Sequence, residues 1–247
     1  MDGYGLSGHS RSIGPLSVTF EEGQDNPMNV AVVGSWLGQA TISPGTLNVI
    51  FDNTATTGSL ALLGTAGVKR NLMVAQGIQA APAMGDPAFI GQFTQDDFMT
   101  APSENPIAAT IQFGPSNGLA TTLNYTQPWG VLVHANGAET ASSTDSGIDQ
   151  LAESSSGGYM MYQVMTAAGA GDITATLKLQ DSTSTDDGDF GDLLSSGVIN
   201  CGALGAAVPT SGVVALGVTA TVKRYIRWQV VLGTATSVTF TMAFVRG

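Results

Sequence analysis

The sequence predicts an all-β protein built as two β-sandwich domains. Three observations lead there. Apolar residues alternate with polar ones along short segments, the period of a strand with one buried face. They rarely recur at three-four spacing over a dozen positions, so long amphipathic helices are not expected. Gly and Pro, 32 and 10 of the 247 residues, punctuate the segments at short intervals. That rhythm favours sandwiches or barrels over alternating strands and helices.

Each element follows from its residues. "LSVTF" alternates Leu16, Val18 and Phe20, and "MNVAVV" covers Met28 to Val33. "TLNVIF" alternates Leu47, Val49 and Phe51. A short helix is expected from Thr57 to Gly64, where Thr and Ser can cap it and Gly64 can stop it. "NLMVAQ" and "AFIGQF" flank the turn-rich "APAMGDP", and "AATIQF" sets Ile111 and Phe113 on one face. In the second half "YMMYQVMT", "ITATLKLQ" and "GVVALGV" read as strands. The C-terminus alternates most clearly. Val238, Phe240, Met242 and Phe244 point one way, and Thr239, Thr241 and Ala243 the other. Upstream, "TVKRYIRWQVVL" places Val222, Tyr225, Trp228 and Val230 in a branched and aromatic context. The short "GTATS" between them makes residues 221–245 an expected antiparallel hairpin.

The composition shifts near Pro128, after which residues 141–158 are rich in Ser, Thr and acids. A boundary is therefore expected at 126–131. It divides the chain into an N-terminal arm (1–15), a first domain (16–128) and a second domain (129–247). Each side then carries about seven strands, the number of a small sandwich. A single larger sandwich with one long loop is the alternative.

Hydrophobic residues make up 43% of the chain, enough for a packed core. Charged residues are only 11%, well below the usual quarter. A surface so poor in charge suits a protein that buries itself against copies of its own kind. The net charge is −11, with 9 acids and 3 bases in residues 1–130 and 10 acids and 5 bases in 131–247. No basic run could grip a nucleic-acid backbone. An acidic wall past which DNA slides fits the same charge. The N-terminus lacks the basic and apolar regions of a signal peptide, and the apolar runs are too short to span a bilayer. The chain is expected to be soluble and made in the cytoplasm.

Chemistry-bearing patterns are sparse. No catalytic, cofactor-binding or metal-binding residue is assigned, and no enzyme is expected. "GYGLSG" satisfies G-x-G-x-x-G at Gly3, Gly5 and Gly8, but no strand can precede it, so it reads as a flexible terminal segment. The lone Cys201 excludes an intrachain disulfide and reads as a small buried residue. His9 and His134, the only histidines, have no acid at helical metal spacing, and His134 reads as a partly buried strand residue. No G-x-S-x-G elbow selects a nucleophile. Asp181, Asp186, Asp187, Asp189 and Asp192 cluster without the spacing of an EF-hand. They make either a solvated turn or a calcium site. Lys223 and Arg227 are expected on one strand face and Arg224 on the other, solvated or pairing with acids of a neighbouring subunit. Asn124 lies in a sequon that has no physical route to glycosylation without export.

Several stretches resemble proteins of tailed bacteriophages. "PWGVLVHANGAET", "YMMYQVMTAAGAGDITATLKLQDST", "DFGDL" and "ATVKRYIRWQVVLGTATSVTFTMAFVRG" are similar to the C-terminal portion of certain siphophage tail proteins. "PGTLNVIFDNTATTGSLALL" and "NLMVAQGIQAAPAMGDPAFIGQFTQDDF" are similar in layout to tail tube subunits. The likeness runs from about Leu16 to Gly247, and the N-terminal arm departs most from it. It implies a tail-tube-like first domain with a short helix, stacking in hexameric rings around a lumen through which DNA passes. It implies a second, immunoglobulin-like or similar domain decorating the outside. Partners would be sister copies and other tail proteins, with no cofactor, and the location the virion tail, assembled in the host cytoplasm. Two other classes compete. One is a capsid decoration protein; the other is a carbohydrate- or receptor-contact module in residues 131–247.

Overall fold

A computed structural model describes residues 1–2, 5–6, 10–25, 34–51, 67–77, 81–102, 107–114, 127–203, 206–207 and 209–247. The fold is all-β, as the alternation requires. The strand expected over Met28–Val33, the helix expected over Thr57–Gly64, and Gly3, Gly8, His9 and Asn124 lie outside the described residues.

The first half contributes β1 (Ser10–Ile13), β2 (Ser17–Asp25), β3 (Gly34–Ser43), β4 (Thr46–Ile50), β5 (Lys69–Ala75), β6 (Pro87–Ala101) and β7 (Ala108–Phe113). The second contributes β8 (Trp129–Glu139), β9 (Ser143–Thr144), β10 (Ile148–Asp149), β11 (Gly158–Gly169), β12 (Ile173–Ser182), β13 (Gly191–Ala203), β14 (Ala206–Ala207), β15 (Thr210–Ala215), β16 (Tyr225–Leu232) and β17 (Ala235–Arg246). A short 3₁₀ turn spans Asp187–Asp189.

Every pairing is antiparallel. Nine strands form one sheet in the order β1-β4-β7-β6-β8-β17-β11-β15, with β5 also paired to β6. Six form a second sheet, β10-β16-β12-β13-β14, with β9 on β16. Among the described strands, β2 and β3 pair only with each other.

The long β6 serves two neighbourhoods. Its first half pairs with β5, from Ala88↔Ala75 to Thr94↔Lys69, and its second half with β7. The register shift between Gln95 and Asp97 marks the change. A bulge adds a residue and a bend at such a point.

Three apolar clusters follow. The largest lies between the two sheets of the second half and includes Val133, Val164, Leu177, Leu179, Val230 and Phe240. A second, with Val49, Phe89, Phe93 and Ile111, fills the first half. A third joins Ala88 and Ile90 of β6 to Leu132, Tyr159, Met161, Ala243 and Val245. Strands β11 and β17 are therefore buried on both faces. Phe240, Met242 and Phe244 face the largest cluster, while Ala243 and Val245 face the third. Alternation at the C-terminus points to a single buried face. The far face is buried too because β5 and β6 cover it with small and branched residues.

One local expectation is corrected. Residues 221–245 do not form a hairpin: β16 belongs to the six-stranded sheet and β17 to the nine-stranded one. The chain crosses the sandwich at Gly233–Thr234, where Gly233 N–H donates to Thr174 O at 3.0 Å and Thr174 N–H to Thr234 Oγ1 at 2.9 Å. Both strands carry an apolar stripe, and the stripes meet across the core, as in the edge-to-face contact of Trp228 and Phe240 at 5.9 Å. Facing stripes bury more apolar surface than lying side by side would.

Candidate functional surfaces

Each buried polar group of the chain needs a partner. The N-terminus is seated rather than free. Met1 and Leu6 are buried in the second cluster, which differs from the flexible segment expected there. Asp2 pairs with Arg70 at 3.0 Å and accepts the Asn71 N–H at 2.8 Å. Asn71 in turn donates to Ser211 Oγ at 2.8 Å and accepts from Gln92 at 2.9 Å. This network ties β5 and β6 to β15. Burial lowers the pKa of the terminal ammonium to about 5.

His134 is buried in β8. Its ring stacks on Phe240 at 3.9 Å and meets Trp228 edge-on at 4.5 Å. Nδ1 lies 3.1 Å from Phe240 O and Nε2 lies 3.3 Å from Glu139 Oε1. Burial holds its pKa below the usual histidine value, with Glu139 opposing that shift. Ser143 Oγ donates to Glu139 Oε2 at 2.8 Å, so the hydroxyl points to the carboxylate and not to the imidazole. A nucleophile-base pair needs the opposite arrangement. Cys201 is fully buried in the largest cluster, and burial raises its thiol pKa.

Four of the five aspartates of the 181–192 segment are each engaged by a different partner, and Asp186 makes no side-chain cap on the 3₁₀ turn that follows it. Asp181 is buried, accepts the Lys223 N–H at 2.9 Å and lies 3.8 Å from Lys223 Nζ. Asp187 pairs with Arg227, whose guanidinium sits 4.1 Å from the centroid of the Phe190 ring. Asp189 accepts from Ser184 Oγ at 2.6 Å. Asp192 accepts from Lys178 at 2.6 Å and from Gln180 at 2.8 Å, which lowers its pKa. Among the described residues, no group of three or more His, Cys, Asp or Glu is placed to hold a metal ion. Asp186 apart, Lys223, Arg227, Ser184 and Lys178 each take one of the other four carboxylates.

The three basic residues of the "VKRYIR" stretch are likewise taken up within the chain. Lys223 turns to Asp181. Arg224 makes a two-pronged contact with Asp149, at 2.8 and 2.6 Å, and holds that carboxyl at about 2. Arg227 is buried and donates to Gln180 Oε1 at 2.8 Å.

Folding also assembles a surface that no local pattern marks. On the outer face of the six-stranded sheet, β16, β12 and β13 lie side by side. Val231, Thr176 and Val198 are cross-strand partners in one row, and Gln229, Lys178 and Ser195 in the next. Arg227, Gln180 and Asp192 form the third. Each row draws on three separate segments of the chain, so no short window of sequence contains one. The β13 register shifts twice along this face, which no periodicity announces.

The ribbon of β2 and β3 stands apart from these. Its base packs on the second cluster through Val18 and Ile42. Further out, Phe20 is 47% exposed. Among the described strands, neither partner of the ribbon has another neighbour.

Comparison with known proteins adds little. No family model matches the chain, and no curated protein matches it. Among solved structures, the Dit protein of phage SPP1, described as a paradigm of the hub adsorption apparatus in phages infecting Gram-positive hosts, aligns over 99% of this chain and 97% of its own. The identity is 10% and the TM-score 0.27, too low for any argument about this chain. Among the described residues, no helix is long and apolar enough to cross a membrane.

Proposed function

We propose that this chain is a non-enzymatic structural subunit of a tailed-phage tail, and specifically a tail tube subunit that stacks in rings around a DNA conduit. The observation that carries the reading is the β2–β3 ribbon. Its outward backbone edges have no strand partner among the described residues, and Phe20 stands exposed upon it. Open strand edges are completed by other chains or guarded by charge. In this ribbon β2 carries Glu21, Glu22 and Asp25, whereas β3 carries no charged residue and leaves its edge unguarded. Sister copies that pair along the ribbon would close the edge and cover Phe20.

The remaining features are in keeping. The resemblance of the first half to tail tube subunits supplies the ring and the lumen. Nine acids against three bases in residues 1–130 suit a wall that repels phosphate over about 8–10 Å at physiological salt. The second half, with its own two-sheet core, would project outward as a decoration. The proposed partners are sister copies, in hexameric rings, and other tail proteins, in the virion tail.

Electron microscopy of the purified chain tests this. Rings or tubes with a central lumen are the expected result. A monodisperse monomer at high concentration, or trimers that bind only capsids, would overturn it.

A further inference from the structure

We propose that the junction between β5 and β15 is a receptor for a carboxylate, that Asp2 fills it as a latch, and that emptying it opens the junction. The latch is independent of whether the chain builds a tube.

Six strands of the nine-stranded sheet follow one another as β5-β6-β8-β17-β11-β15, each antiparallel to the next. In a row of even number the first and last strands run in opposite directions. Such a row can curl until its two ends meet as antiparallel neighbours. Here the ends do meet. Asn71 of β5 donates to Ser211 Oγ of β15 at 2.8 Å. The third apolar cluster fills the inside of the curl, and Met73 of β5 and Val213 of β15 pack against it from the two ends. Among the described strands, however, β5 and β15 share no backbone pairing. Side chains close the seam in place of a ladder.

The period of two extends each inner face by one polar residue. Asn71 stands two before Met73, Ser211 two before Val213, and Gln163 two after Met161. Gln163, only 2% exposed, donates to Asn71 O at 3.2 Å, and Gln92 donates to Asn71 Oδ1 at 2.9 Å. These side chains are neutral, and one carboxylate is set beside them. Asp2 Oδ1 accepts from Asn71 N–H at 2.8 Å and from Ser211 Oγ at 3.3 Å, and Asp2 Oδ2 accepts from Arg70 at 3.0 Å. Asp2 N–H donates to Asn71 O at 3.0 Å. On the edge of β5, Asp2 thus supplies the one donor and one acceptor that a neighbouring strand would bring.

The donor set defines the ligand class. A guanidinium, a backbone N–H and a hydroxyl converge on two oxygens, so both oxygens must accept. A carboxylate does this, and its charge-assisted bonds are the strong kind. A primary amide would turn one N–H₂ group toward donors. Arg70 is 9% exposed and is also held by the fully buried Gln95, whose Oε1 accepts from Arg70 Nε at 3.2 Å. The receptor therefore has a support that does not come from Asp2. The backbone bends to deliver the carboxylate: Asp2 has a φ of 46°, in the left-handed region that side chains disfavour.

Hydrogen exchange of the full chain, followed by amide NMR, tests the latch. Asp2→Gly deletes the carboxylate and suits the left-handed backbone. Exchange should quicken by about tenfold or more in β5 and β15, the worth of one charged hydrogen bond. Exchange in β12 and β16, of the other sheet, should stay as in the parent. Sodium acetate should slow β5 and β15 again and shift the amides of Asn71 and Ser211. Sodium chloride at the same ionic strength should do neither. Ser211→Ala in the Asp2→Gly chain removes one receptor donor and should weaken the acetate effect several-fold. Asp2→Asn keeps the side-chain shape and should open the seam as well, and it carries the comparison if the glycine variant does not fold. Unchanged exchange in β5 and β15 overturns the proposal. So does quickening spread evenly over both sheets, or chloride acting as well as acetate.

Discussion

The hydroxyl of Tyr159, in β11, donates to the carbonyl oxygen of Ile90, in β6, at 3.3 Å, and reaches Gln127 O at 2.9 Å. The ring is 2% exposed, in the cluster that joins the two halves of the chain. Burial pushes the phenol pKa well above its usual range. The group therefore acts as a neutral donor at any physiological pH. Tyr159→Phe keeps the ring and removes the donor. Leaving buried carbonyl oxygens short of a partner costs about 1–3 kcal/mol. Chemical denaturation should show a lower midpoint with an unchanged slope. An unchanged midpoint would mean that water serves those carbonyls equally well.

Gly130, the second residue of β8, lies close against the backbone of β17. A Cβ placed there would lie 2.1 Å from Phe244 O. Both groups are backbone-fixed, so Gly130→Ala must push β8 away from β17. A loss of about 3 kcal/mol or more is expected. Gly188→Ala is the matched control, since nothing lies within 4 Å of the new atom there. It should stay within about 0.5 kcal/mol of the parent. Thermal melts of the two variants compare them directly.

His134 predicts an acid sensitivity. Its folded pKa lies below 6.5 because burial disfavours the imidazolium. Between the folded value and 6.5 the unfolded chain binds more protons, so stability rises with pH in that window. The contribution is complete above about pH 6.5 and is lost as pH falls toward the folded value. His134→Gln should flatten the stability profile in this interval. If parent and variant keep parallel profiles from neutral pH to about pH 5, the assignment is wrong.

Phe20 separates assembly from folding. At 47% exposure it contributes little to either large core. Phe20→Glu should leave the circular dichroism spectrum and melting temperature within error. The same change puts a carboxylate into the proposed contact between copies, and sedimentation should show a shift from rings to monomers. Persistence of rings would move the contact elsewhere.

The sequence alone determined the class of fold and most strand positions, because burial of alternate residues is a local property that leaves a period of two. It also set the low charge, the lack of basic runs and the single buried thiol. Which strands are neighbours was decided only by the tertiary structure. Tyr225–Leu232 and Ala235–Arg246 look like two arms of a hairpin, and yet they belong to opposite sheets. Alternation states that a face is buried but not what covers it. The rows over β16, β12 and β13 depend on pairing between distant segments and on two bulges, so their polar array exists only once the chain has folded.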